Sequence, residues 1–141
     1  MKLIIQALAT LLLAGAAFAA TSPEMLSDHF APDEEVDDSF AWKPGAQCTL
    51  SDDEGVVLRS NWMKRHWIKN SGKQVEFNGE VQMNEEGWFQ TFVSQDFTVT
   101  LRLRRIGGEP EGSDGVGMKG EMVVIWPEQS IAYQVTGGCG A

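Results

Sequence analysis

Histidine, cysteine and tyrosine are scarce in this chain, and each scarcity excludes a class of chemistry. Its 141 residues include 2 histidines, 2 cysteines and 1 tyrosine. Neither His29 nor His66 has a cysteine or histidine at ligand spacing, so no structural zinc site is expected. No serine stands in a Gly-x-Ser-x-Gly elbow, and a serine–histidine–carboxylate triad would have to be built on His66 alone. The cysteines, Cys48 and Cys139, are far apart, without the Cys-x-x-Cys spacing of redox catalysts. Bases are few as well: 11 Lys and Arg face 20 Asp and Glu, for a formal charge of −9. Nucleic acid is therefore not an expected partner, because neutralising phosphates needs a basic face. No apolar run approaches the roughly 20 residues that span a bilayer, so no membrane insertion is expected. Adjacent carboxylates do occur (Asp52-Asp53, Glu85-Glu86), but in turn-like stretches rather than across a cleft. The expectation is a protein that is not an enzyme and carries no cofactor and no metal.

What is present begins with an export signal. Lys2 supplies a positive start, residues 3–13 are apolar apart from Gln6 and Thr10, and Ala17-Phe18-Ala19 has the small-x-small form of a peptidase site. Cleavage is expected after Ala19. Ala16 stands where a lipoprotein would carry its lipid-bearing cysteine, so no lipid anchor is expected. The short, alanine-rich signal is of bacterial type and implies a periplasmic or secreted protein. Removing it takes away Lys2 and no acid. Residues 20–41 hold seven acids before the first mature base, Lys43, and mix them with Pro23 and Pro32. They read as a flexible acidic leader. Asp33 to Asp38 contains no glycine, which a calcium loop needs for its turn. Residues 42–141 then form one domain.

That domain reads as all-β. Short runs rich in β-branched and aromatic residues, at 48–50, 56–60, 66–69, 73–76, 81–83, 88–93, 97–106, 118–126 and 131–135, are separated by turn residues. The clearest alternation sets Phe97, Val99, Leu101 and Leu103 against Thr98, Thr100, Arg102 and Arg104. At Phe77-Asn78-Gly79, a three-residue loop with Gly79 left-handed puts Val75 opposite Val81 and keeps one face apolar. Tight connections favour an antiparallel meander of about eight strands. Such a meander closes into a small β-barrel; a two-sheet sandwich is the alternative. In an exported chain two cysteines usually pair. A Cys48–Cys139 bridge would tie the first strand to the end of the last, which the barrel reading takes as the two sheet edges. Free thiols or an intermolecular bridge are the other options.

Two basic groups are the candidate binding sites. Trp62, Lys64, Arg65, His66 and Trp67 form the densest aromatic and cationic strip, suited to a sugar, an anion or a protein anchor. The plainer reading makes the tryptophans core and the cations a solvated edge. Arg102 and Arg104 project from one face of one strand and can grip carboxylate or phosphate; the plainer reading is a solubilising face. The glycine-rich loop 107–117 has no Lys-Ser/Thr end and leads into a strand, so it is not a phosphate cradle.

Together these features predict an exported monomeric binding module that recognises a small molecule or a protein without turnover. An exported, disulfide-closed small barrel resembles in outline the bacterial inhibitors of c-type lysozyme. Ser71-Gly72 matches the Ser-Gly of that family's motif, but the tyrosine that follows it there is missing, and Tyr133 lies in the last strand. The resemblance is architectural and does not place the chain in the family. It implies inhibition of a cell-wall hydrolase as one function; a structural, envelope-associated role is another.

Overall fold

The computed structural model describes residues 28–37, 47–61, 63–106 and 116–140. Eight antiparallel strands follow one another: β1 (Gln47–Ser51), β2 (Val56–Ser60), β3 (Arg65–Asn70), β4 (Lys73–Asn78), β5 (Gly87–Val93), β6 (Thr98–Arg105), β7 (Val116–Trp126) and β8 (Gln129–Gly140). They form one sheet in the order β4-β3-β2-β1-β8-β7-β6-β5. No described residue is helical.

Alternation explains which side chains go inward. Trp88 and Phe92 on β5, Val99, Leu101 and Leu103 on β6, Met118, Met122 and Val124 on β7, and Tyr133 and Val135 on β8 all bury in one cluster with Leu50, Leu58, Ile68 and Phe77. The β1–β2 register shifts between Leu50 and Ser51, leaving Val57 as an extra residue. That bulge lets Val57 join Leu58 in the core. Strong curling brings backbones close together. A Cβ on Gly137 would sit 1.9 Å from the Thr49 carbonyl oxygen, so only glycine fits there.

The sheet curls into a half-barrel and does not close, which corrects both the closed barrel and the two-sheet sandwich expected from sequence. The open seam lies between β4 and β5, whereas the first and last strands pair over five residues in the middle of the sheet. The Cys48–Cys139 disulfide joins directly opposed residues of that central ladder, not two edges. The seam has a physical cause. Residues 81–83, expected as a strand, make only a single bridge, Met83 to Trp88. Chain 79–86 lies along β5 instead, with the Asn84 amide donating to the Gly87 carbonyl at 3.0 Å. The Gln90 side chain accepts from the Gln82 amide at 3.0 Å and donates to the Glu80 carbonyl. The expected three-residue loop at Phe77-Asn78-Gly79 does not form either. β4 runs on through Asn78, paired with Arg65 of β3, and Gly79 is not left-handed. The edges meet through side chains instead: the Phe77 and Phe92 rings lie 5.2 Å apart, edge to face.

The hairpin at residues 70–73 turns on two residues, Ser71 (φ 52°) and Gly72 (φ 77°), with Asn70 paired to Lys73. Two successive positive φ values are what a type I′ turn demands.

Within the stretch expected to be a flexible leader, residues 28–37 pack on the sheet. Phe30 bridges Val56 in β2. Phe30 and Val36 bury with Trp67 in a second, smaller cluster on the outer face of β2 and β3. The remainder of that leader and the signal segment lie outside the described residues.

Candidate functional site

The aromatic and basic strip is divided by strand alternation. His66 points inward and is fully buried, with Nδ1 2.7 Å from Ser60 Oγ and Nε2 2.7 Å from the Gly79 carbonyl oxygen. Its ring lies 4.5 Å from that of Phe92. Burial pushes its pKa below 6.5, only partly countered by the Gly79 carbonyl and Glu76. It is a neutral core histidine. Trp67 points outward but is covered by Phe30 and Val36. Arg65 lies over the Trp67 ring, 5.4 Å from its centroid, and is held at two points by Glu76. Lys64 is exposed, 3.5 Å from Glu80. Asn61 organises the turn before β3 by accepting from the amides of Met63, Lys64 and Arg65 at 3.0, 3.3 and 3.0 Å. Trp62 and most of the loop 107–117 lie outside the described residues.

Arg102 and Arg104 do share an exposed outward face, with Arg104 opposite Lys119 and Arg102 between Phe89 and Glu121. Among the described residues none of these three cations has a carboxylate at ion-pair distance, whereas Lys64, Arg65 and Lys69 each do. Beyond them the same face carries Phe89, Val93 and Ile125 at 44%, 77% and 46% exposure. No described segment covers it.

A cluster that the sequence did not reveal lies at one end of the half-barrel. The His29 Nδ1 is 2.6 Å from Asp28 Oδ1, and its Nε2 is 2.8 Å from Asp52 Oδ1. Glu54 stands 3.9 Å away. Tyr133 donates its hydroxyl to Asp28 Oδ2 at 2.5 Å. Asp52 is fixed in its turn by the amides of Glu54 and Gly55, at 2.8 and 3.1 Å. Burial works against a charged ring at His29. The Asp52 bond and the charges of Asp28, Asp52 and Glu54 outweigh it and raise the pKa above 6.5. Asp52 is lowered in turn: burial opposes its charge, but the His29 bond and the turn amides prevail. Burial and the Asp28 bond push the Tyr133 phenol well above its ordinary value. Beside the cluster an open cleft of about 320 Å³ runs between residues 52–54 and 131–134. Sequence reasoning missed this cluster because it treated the leader as unstructured. The available signal was the apolar pair Phe30 and Val36 within an otherwise acidic run.

A cavity lined by Asp28, Lys69, Trp126 and Tyr133 among others has about 10 Å³, space for one water. Among the described residues no group of three or more His, Cys, Asp or Glu has metal-holding geometry, and no helix is long and apolar enough to cross a membrane. No family model, no curated protein and no solved structure matches this chain.

Proposed function

We propose that this chain is an exported recognition module that binds an anionic partner through the outward face of β5 to β7, without turnover. The observation that carries the reading is the row of Arg102, Arg104 and Lys119, exposed and, among the described residues, without a carboxylate at ion-pair distance, in a protein of charge −9. Segregating cations in an acidic protein gives one face a sign opposite to the whole, which orients an incoming anion. Half-exposed Phe89 beside Arg102 adds an apolar contact of the kind that anchors interfaces. Titration calorimetry with an oligoglutamate peptide tests the reading. Binding that weakens with salt and disappears in Arg102→Glu/Arg104→Glu supports it; binding unaffected by that reversal refutes it.

The second reading, inhibition of a basic cell-wall hydrolase, draws support from the acidic rim of Asp52, Asp53 and Glu54 at the cleft and the exposed Ser71-Gly72 turn. A lysozyme turnover assay with equimolar protein decides it.

A further inference from the structure

Residues 28–37 form a strap across the outer face of β2 to β4, and its two ends are held by different chemistry. At the far end Glu34 accepts from Lys69 Nζ at 2.7 Å. Gln74 reaches the Glu34 carboxylate at 2.9 Å, the Glu35 carbonyl at 2.7 Å and the Asp37 amide at 2.8 Å. Phe30 and Val36 supply the apolar contact with Trp67, and the Phe30 amide donates to the Val56 carbonyl at 2.8 Å. The near end hangs on an imidazole set between carboxylates of two different segments. Asp28 belongs to the strap; Asp52 and Glu54 belong to the β1–β2 turn.

We propose that His29 is a pH-sensitive latch for this strap: its protonated ring fastens the strap to the β1–β2 turn, and loss of the proton frees residues 28–30 and uncovers the Val56–Trp67 surface. Both ring nitrogens face carboxylate oxygens within 2.8 Å. Only the imidazolium has a hydrogen on both nitrogens, so the neutral ring turns one of these contacts into lone pair against lone pair. The carboxylates then also lose the positive charge that separates them. Among the described residues, the groups facing the ring include Asp28 from the strap, Asp52 and Glu54 from the turn, and Tyr133 from β8. Asp53 lies on the same cleft. Tyr133 touches the ring edge to face at 6.2 Å and keeps its proton at any physiological pH, so it does not titrate against the latch.

The direction follows from linkage. The folded-state pKa of His29 is raised, so its stabilisation is complete below the unfolded value of 6.5 and is lost as pH rises through the folded value. The strap should close in mild acid and loosen in mild alkali. Glu34 sets the opposite limit. Burial opposes its charge, yet the Lys69 bond, with the Ala31 amide and Gln74, holds its pKa at about 2. The far anchor therefore holds from neutrality down to strongly acid pH.

Hydrogen–deuterium exchange of the intact protein tests this through the protection factor of a peptide covering residues 28–37, with β6–β7 as internal control. Between about pH 6 and about pH 9 the wild-type strap should lose protection several-fold while β6–β7 does not. His29→Gln should be weakly protected and flat across that range. His29→Lys, which keeps a cation up to higher pH, should retain protection at about pH 9. Strap protection that is constant with pH in the wild type overturns the latch, as does a His29→Gln profile as steep as the wild type's. His29→Lys losing protection as steeply as the wild type overturns it too.

Discussion

Replacing both cysteines, Cys48→Ala with Cys139→Ala, isolates what the covalent tie contributes. The bridge joins residues 91 apart in sequence that face each other across β1 and β8. In the chain-entropy model a cross-link of that span removes about 15.5 cal/mol/K from the unfolded chain, or about 4.6 kcal/mol at 25 °C. Alanine avoids placing a hydroxyl at positions that are 0% and 1% exposed. The native ladder should survive, because β8 keeps pairing with β7 over eleven residues and with β1 over five. The expected loss in urea unfolding is therefore about 3–5 kcal/mol. At about 4 °C per kcal/mol for a domain of this size, Tm should fall by roughly 12–20 °C. Wild-type protein unfolded in reductant should give the same midpoint as the double variant. A loss below about 0.5 kcal/mol would refute the reasoning. It would mean either that β1 and β8 are not covalently joined or that the unfolded chain already holds its ends together.

The remaining predictions probe the strap, the core histidine and the proposed binding face. Phe30→Ala removes a ring that is 4% exposed and should cost up to about 3 kcal/mol, limited by the strap's own docking free energy; strap exchange should rise while β6–β7 exchange stays unchanged. Glu34→Gln removes the charge paired with Lys69, so strap protection should fall at neutral pH yet match the wild type below about pH 2. His66 is held neutral, so the unfolded chain takes up a proton first as pH falls below 6.5, and wild-type stability drops there. His66→Gln can keep the contacts to Ser60 and Gly79, and its stability deficit against wild type should narrow between about pH 6.5 and 5; a constant deficit refutes the assignment. Arg102→Glu/Arg104→Glu should unfold within about 0.5 kcal/mol of wild type, because both side chains are exposed and neither has a carboxylate at ion-pair distance among the described residues; a larger loss would make them structural rather than binding residues.

Much of the sheet was legible locally. The alternation from Phe97 to Arg104 identified β6 and its inner face, and Val56 to Ser60 was delimited as a strand. The gap between the runs at 66–69 and 73–76 holds Ser71 and Gly72, residue types that suit the positive φ values the turn takes there. Strand ends were less visible. The β-rich run in the sequence ends at Val135, yet β8 continues to Gly140, since pairing with β1 supplies what its glycines lack in propensity. Of the candidate site, the outward direction of Arg102 and Arg104 was legible from parity alone. The fate of His66 and Trp67 was not, because adjacent residues on a strand point to opposite faces and both faces of β3 are covered.

By itself the sequence determined an all-β chain, an antiparallel sheet, an inward apolar row and a pair of cysteines able to meet. These follow from period-2 patterning, short turns and composition, all of which act over a few residues. Only the tertiary structure decided where the sheet stays open, because that depends on how residues 79–86 lie against β5, a matter of packing and of Gln90 rather than of propensity. It likewise decided that an acidic segment becomes a strap: Phe30 and Val36 dock because Trp67 faces outward on a strand distant in sequence. The His29 cluster has the same origin. Asp28, Asp52 and Tyr133 come from three separate parts of the chain, and no local pattern can announce an ion cluster that exists only when all three arrive at one end of the sheet.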